Sequence, residues 1–177
     1  MKKTSWITPL DLEIMKMFDA HKLSVSSVKY SRGHDADSME ANLKVGTKIV
    51  GTVWDDSWGG ENQYDGKNVN EFLSLLDIII KEAGPYTFLG STTDHSYDTL
   101  MELLIAHTKN KRDCKNKTVI LIGKTEPTED NNSLWGTKTY TYKTKYDPKQ
   151  DTFLLNDFSH EEKQGFNFIE ILNQRYI

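Results

Sequence analysis

Between positions 39 and 66 the chain reads MEANLKVGTKIVGTVWDDSWGGENQYDG, and the remaining pattern is arranged around this stretch. Met39, Ala41, Leu43 and Val45 alternate strictly with Glu40, Asn42 and Lys44, the period of two that marks a strand with one buried face. Gly46-Thr47 interrupts the alternation, and Ile49, Gly51 and Val53 resume it. This predicts a β-hairpin whose turn uses glycine at a positive φ. Beyond it, Trp54-Asp55-Asp56-Ser57-Trp58-Gly59-Gly60-Glu61-Asn62 sets two adjacent glycines beside two tryptophans, and close packing of backbone is expected there.

The flanking patterns predict helices and further strands. Thr8 reads as an N-cap, Pro9 as the first helical residue and Asp11 as favourable near the positive helix end, with Leu10, Ile14, Met17 and Phe18 on one face. Residues 23–30 alternate partially and read as a strand, followed by a polar turn at 31–38. Residues 69–83 carry Phe72, Leu75, Leu76, Ile79 and Ala83 on one stripe, widened by Leu73 and Ile80, and Gly84-Pro85 supplies a helix stop. A second helix is expected over 96–108, with Tyr97, Leu100, Met101, Leu104 and Ile105 inward.

Residues 117–123 form a short continuous apolar run, the signature of a central strand. Residues 135–146 alternate Tyr and Thr with Lys and read as an exposed edge strand. After a turn at 147–151, Phe153-Leu154-Leu155 is expected to pair back and 159–162 to start a helical turn, while 166–177 fits helix and strand equally. The sum is an α+β chain: a mainly antiparallel sheet with two main helices packed on one face, a shorter helix near the N-terminus, and a single domain over 1–177.

Composition adds bounds. The 177 residues suffice for one core, and four Trp, eight Tyr and seven Phe argue against disorder. A net charge of -4 opposes general attraction to nucleic acid or anionic membrane but leaves room for local patches. One cysteine, Cys114, excludes an internal disulfide and suits a reducing compartment, so a cytoplasmic location is expected. The most apolar run, 73–80, is broken by Asp77 and is too short to span a bilayer.

Candidate chemistry is sparse. Asp55, Asp56, Glu61 and Asp65 could offer oxygen ligands to Ca²⁺ or Mg²⁺, but EF-hand spacing is absent and a solvated acidic turn is the simpler account. His34, His95 and His160 have acidic neighbours, and His21 and His107 complete the set. No HExxH, HxH or Cys/His cluster joins them, and they read as turn and cap residues. Cys114 lies among Lys and Arg, which would favour thiolate; exposure in a basic loop is the ordinary reading. GxSxG, Walker A and GxGxxG are absent, so no catalytic residue, metal or cofactor is assigned.

Two binding surfaces remain. Trp54, Trp58 and Trp135 with Tyr140, Tyr142, Lys143 and Tyr146 could form a protein-binding surface, since Tyr and Trp supply contact area and edge strands accept partner strands. Lys109, Lys111, Arg112, Lys115 and Lys117, joined to the Lys/Tyr strand, could instead hold a nucleic acid.

The run Leu43-Lys44-Val45-Gly46-Thr47-Lys48-Ile49-Val50-Gly51-Thr52-Val53, then Asp56-Ser57-Trp58-Gly59-Gly60 and Tyr64, resembles a pattern in small uncharacterised proteins of phages and mobile elements. In those proteins a hairpin runs into a Gly-Gly loop and a helix, and positions 38–122 follow that layout. Ser57 stands where a glycine is expected, and Glu61 where a cysteine is frequent. The resemblance brings no activity of its own and implies only a phage or mobile-element origin, where small proteins often bind host components. Together with the aromatic surface it leads to the expectation of a non-enzymatic accessory protein that binds a host protein in the host cytoplasm and inhibits a defence or regulatory system. A nucleic-acid-binding protein is the second reading and a metal-dependent enzyme the third.

Overall fold

The computed structural model describes residues 9–32, 37–55, 60–88, 91–123, 137–142, 145–147, 149 and 167–176. They form an α+β architecture in which every strand pairing is antiparallel. The described strands divide over three sheets, of four, two and three strands. The chain groups into two compact units, Glu13–Ile105, and Met1–Leu12 with Ala106–Ile177.

In the first unit, helix α1 (Pro9–Ala20) buries Ile14, Met15 and Phe18; Met17, expected inward, is only half-buried. The chain leaves the helix through Lys22, at φ 57, and enters strand β1 (Leu23–Arg32). Strand β2 (Asp37–Val45) and strand β3 (Lys48–Asp55) form the expected hairpin, and Val45 pairs with Lys48 across the two-residue turn. Gly46 there has φ 61, and its N–H donates to the Lys22 carbonyl at 2.8 Å, tying this turn to the end of α1. The predicted polar turn at 31–38 is shorter than expected: β1 and β2 extend to Arg32 and from Asp37, and the tip lies outside the described residues.

Strand β4 (Gln63–Asp65) returns against β3, and helix α2 (Val69–Ala83) follows. A Cβ built on Gly51 would lie 2.5 Å from the Asp65 carbonyl oxygen. One built on Gly66, at φ 137, would lie 2.6 Å from the Gly51 Cα, so bare backbone crosses bare backbone where β4 turns into α2. The close packing expected at Gly59-Gly60 is corrected accordingly: Gly60 has nothing within 4 Å of its Cβ position, and Gly59 lies outside the described residues.

Helix α2 occupies the predicted residues and packs on β2 and β3. Phe72, Leu76 and Ile79 are buried with Leu43, Val50 and Val53, while Leu75 and Ile80 are half-buried. Gly84 caps it at φ 68 and donates its N–H to the Ile80 carbonyl at 3.1 Å. Strands β5 (Tyr86–Phe88) and β6 (Ser91–Thr93) form a small hairpin before helix α3 (Tyr97–Asp113). Ser96 is its N-cap, the hydroxyl accepting from the Thr99 N–H at 3.2 Å. Leu100, Met101, Leu103 and Leu104 are buried.

Helix α3 runs five residues past the expected end at 108, because its inward face continues in polar side chains: His107 and Asn110 are buried, and so is Cys114 just beyond. In the second unit, strand β7 (Thr118–Gly123) is central, as predicted, with Val119 and Ile120 both buried. Strand β8 (Thr137–Tyr142) is one edge, as expected, and strand β9 (Asn167–Ile171) the other. The 166–177 ambiguity thus resolves into a strand followed by the short helix α4 (Asn173–Tyr176). The expected elements at 153–155 and 159–162 lie outside the described residues.

Asn173, 0% exposed, holds this end of the sheet together. Its Oδ1 accepts from the Val119 N–H at 2.7 Å, and its Nδ2 donates to the carbonyls of Cys114 at 3.0 Å and Lys117 at 2.7 Å. One amide therefore satisfies three backbone groups in the turn between α3 and β7.

Candidate functional site

Strand parity decides which side chains of the first sheet meet solvent. Val53 and Leu43 point to the α2 side, so Trp54 and Thr52 on β3, with Glu40, Asn42 and Lys44 on β2, occupy the other face. The register shift between Leu43 and Lys44 leaves Val50 buried and turns Ile49, which the alternation sets in phase with Val53, outward opposite Lys44. Rows cross the sheet in register: Lys29, Glu40, Trp54 and Gln63 make one, and Ser26, Asn42, Thr52 and Asp65 the next. All four members of the first row are exposed. Within this mainly polar field Ile49 is 54% and Trp54 38% exposed. An indole and a branched aliphatic on a water-facing sheet surface supply contact area to a partner at little ordering cost.

Of the residues assigned from sequence to a partner surface, Trp58, Trp135 and Lys143 lie outside the described residues. Tyr140 and Tyr142 are in the edge strand β8, their backbones paired with the buried Ile120 and Thr118. Tyr146 is corrected: it is 8% exposed, and its hydroxyl accepts from Gln174 Nε2 at 3.0 Å, so its ring belongs to the packing of this unit. Trp54, also assigned from sequence to a partner surface, is 38% exposed, whereas Ile49 was missed: the alternation sets it in phase with the buried Val53, and the register shift at Leu43/Lys44 turns it outward.

The basic set is partly brought together. Lys111 and Arg112 lie in the last turn of α3, where the negative helix end favours cations. Lys109, Lys111, Arg112 and Lys115 are exposed. Asp113 is flanked by Arg112 at 3.5 Å and Lys117 at 3.4 Å.

The candidate chemical groups are placed differently from the sequence expectation. Cys114 is 1% exposed rather than in an open basic loop, and burial, aided by the Asp113 carboxylate, pushes its thiol up to about 12. Protein in native buffer at pH 8 is therefore expected to react with a disulfide reagent at least 100-fold more slowly than urea-unfolded protein, as read by thionitrobenzoate release. His95 and His107 are corrected from turn and cap residues to buried ones, and the His95 ring stacks on Tyr86 at a centroid distance of 4.6 Å. His34 and His160 lie outside the described residues.

Glu61 and Asp65 are exposed, Asp56 lies outside the described residues, and no group of three metal-ligating side chains converges among the described residues. The loop is anchored instead: the Asn62 N–H donates to Asp98 Oδ1 at 3.0 Å, at the start of α3.

Beside that anchor the Tyr97 hydroxyl donates to Asp77 Oδ1 at 2.5 Å, and the ring of Tyr97 meets that of Tyr64 edge-on at 6.0 Å. The hydrogen bond to Asp77 first, and burial second, push the Tyr97 phenol up to about 12. Burial first, then the Asp98 carboxylate, raises Tyr64 further. A folded value above the unfolded one, near 10, means the stabilisation is fully present below pH 10 and is lost as pH rises through about 12. Because the raised Cys114 thiol, ordinarily near 9, adds its own loss, urea midpoints measured from pH 8 to pH 12 are expected to fall from about pH 9 and more steeply above about pH 10, where the tyrosine contribution is lost as well. The Asp77→Asn variant is expected to ionise one tyrosine at lower pH in absorbance at 295 nm.

No helix among the described residues is long and apolar enough to cross a membrane. No protein family, curated protein or solved structure matches the chain.

Proposed function

We propose that this chain is a non-enzymatic accessory protein of phage or mobile-element type that binds a host protein and inhibits a defence or regulatory system. The observation that carries the reading is the exposure of Ile49 and Trp54 on the water-facing side of the β1–β4 sheet. The hairpin, loop and helix layout at 38–83 supports it, being the part that resembles the phage and mobile-element proteins. The burial of Cys114, His95 and His107 agrees with packing roles for the groups that a nucleophilic or acid–base mechanism would otherwise recruit.

The test is affinity capture of the tagged full chain from its native cellular background, with and without nuclease, followed by mass spectrometry. A single stoichiometric protein that survives nuclease is the expected result. Recovery of nothing but nuclease-sensitive material would contradict it.

A further inference from the structure

The topology brings two stretches that are far apart in sequence to one end of the second unit. The basic stretch at 109–117, five cations against the one carboxylate of Asp113, leads directly into β7 at Thr118. In register, Thr118 pairs with Tyr142, the last residue of β8, so the Lys/Tyr strand ends beside the start of β7; three residues further along the chain Lys145 is exposed. The next residue, Tyr146, is bonded to Gln174 of α4, while Asn173 is bonded to Cys114 and Lys117. The end of α3, the turn after it, Tyr146 and α4 are thus joined by hydrogen bonds into one end of this unit, with Lys145 the chain neighbour of Tyr146.

The cations are concentrated there in sequence, in a chain whose net charge is -4. Asp113 is flanked by Arg112 and Lys117, and Lys109, Lys111, Lys115 and Lys145 are exposed. Lys109, Arg112 and Lys115 follow one another at intervals of three, and the Lys115 N–H still bonds the Arg112 carbonyl at 3.3 Å. Helical neighbours at that spacing stand about 5–6 Å apart, close to the repeat of an extended phosphodiester backbone.

We infer that this basic end, Lys109, Lys111, Arg112 and Lys115 with Lys145, docks the phosphodiester backbone of a nucleic acid. The surface is distinct in sequence and sheet from that of Trp54, so the chain carries a second binding function. Recognition is by charge and spacing, which makes it sequence-tolerant and salt-sensitive.

Fluorescence anisotropy of the full chain with labelled 20-nucleotide single-stranded DNA, single-stranded RNA and duplex DNA tests this and shows which form supplies the backbone. With three to four phosphate contacts on a single strand, the association constant is expected to fall about 20- to 50-fold between 50 and 200 mM salt. Lys109→Glu, Lys115→Glu and Lys145→Glu together are expected to weaken binding at least tenfold. The same three positions changed to arginine are expected to keep it within twofold, and Trp54→Ser to leave it unchanged.

Lack of binding by the wild type to all three probes at 50 mM salt would overturn the inference. So would a salt-independent affinity, an unchanged affinity in the glutamate variant, or poly-L-glutamate competing as well as the oligonucleotide per unit charge.

Discussion

Alanine at Gly66 is expected to destabilise the Glu13–Ile105 unit by about 2–6 kcal/mol, the largest effect of any single methyl group in the described residues. Two costs add. At φ 137 an L side chain is strained by about 1–3 kcal/mol, whatever the space around it. The added Cβ also meets the Gly51 Cα at 2.6 Å and the Val50 carbonyl oxygen at 2.9 Å, backbone atoms that cannot rotate away. Relief would require β3 and the β4–α2 turn to separate, lifting α2 from Leu43 and Val53.

The other glycines make the comparison quantitative. Gly51→Ala meets the Asp65 carbonyl at 2.5 Å and is expected to approach the Gly66 cost. Gly46→Ala meets nothing within 4 Å but sits at φ 61, and a cost of about 1 kcal/mol is expected. Gly60→Ala meets nothing within 4 Å, and about 0.5 kcal/mol or less is expected. Urea-unfolding midpoints should rank Gly66 and Gly51 well above Gly46, and Gly46 above Gly60. Equal costs at Gly66 and Gly60 would remove the backbone crossing from the explanation.

Asn173→Ala is expected to cost about 3 kcal/mol. It removes no apolar packing of consequence, so the loss comes from the Val119 N–H and the carbonyls of Cys114 and Lys117, left without their partner at a site 0% exposed in the native chain. The same substitution is expected to open the turn around Cys114 and raise the rate of its thiol reaction, which couples stability to a second readout. Asn173→Asp separates the donor and acceptor roles. Its carboxylate keeps an acceptor for Val119 but sets negative charge against two carbonyl oxygens, so at pH 7 it is expected to be no better than alanine. Such a buried carboxyl has a folded value raised above about 3.9; its deficit relative to the wild type is therefore expected to shrink as pH falls and the acid becomes a donor.

What the sequence made legible is what depends on local periodicity. The period of two over Met39 to Val45, the stripe of Phe72, Leu76 and Ile79, and Gly84 as a helix stop each determine a neighbourhood from nearby residues alone, and each is where it was expected. The end of α3 was hidden because His107 and Asn110 continue its buried face with polar side chains, so the apolar period stops before the helix does. The glycines were misjudged for a related reason. Adjacency drew attention to Gly59-Gly60, whereas the need for glycine at Gly51 and Gly66 arises from a crossing between segments fifteen residues apart. Asn173 gave no signal, since its partners lie 54 to 59 residues away in the chain.

The candidate sites follow the same division. Strand parity was sufficient to turn Trp54 outward once Val53 was turned inward, so that residue was readable; Ile49, in phase with Val53, was not, because the register shift that exposes it leaves no mark in the alternation. The 109–117 stretch was joined to the Lys/Tyr strand from composition alone; the register that sets Thr118 opposite Tyr142 is what places the end of β8 beside it, and that register was not legible.

The most direct measurement of partner binding is a paired affinity capture, in nuclease, with the wild type and an Ile49→Ser/Trp54→Ser variant of matching circular dichroism. The wild type is predicted to recover one stoichiometric host protein, and the variant to lose at least nine-tenths of it. Equal recovery by the two would contradict the assignment of that sheet face as the host-protein surface.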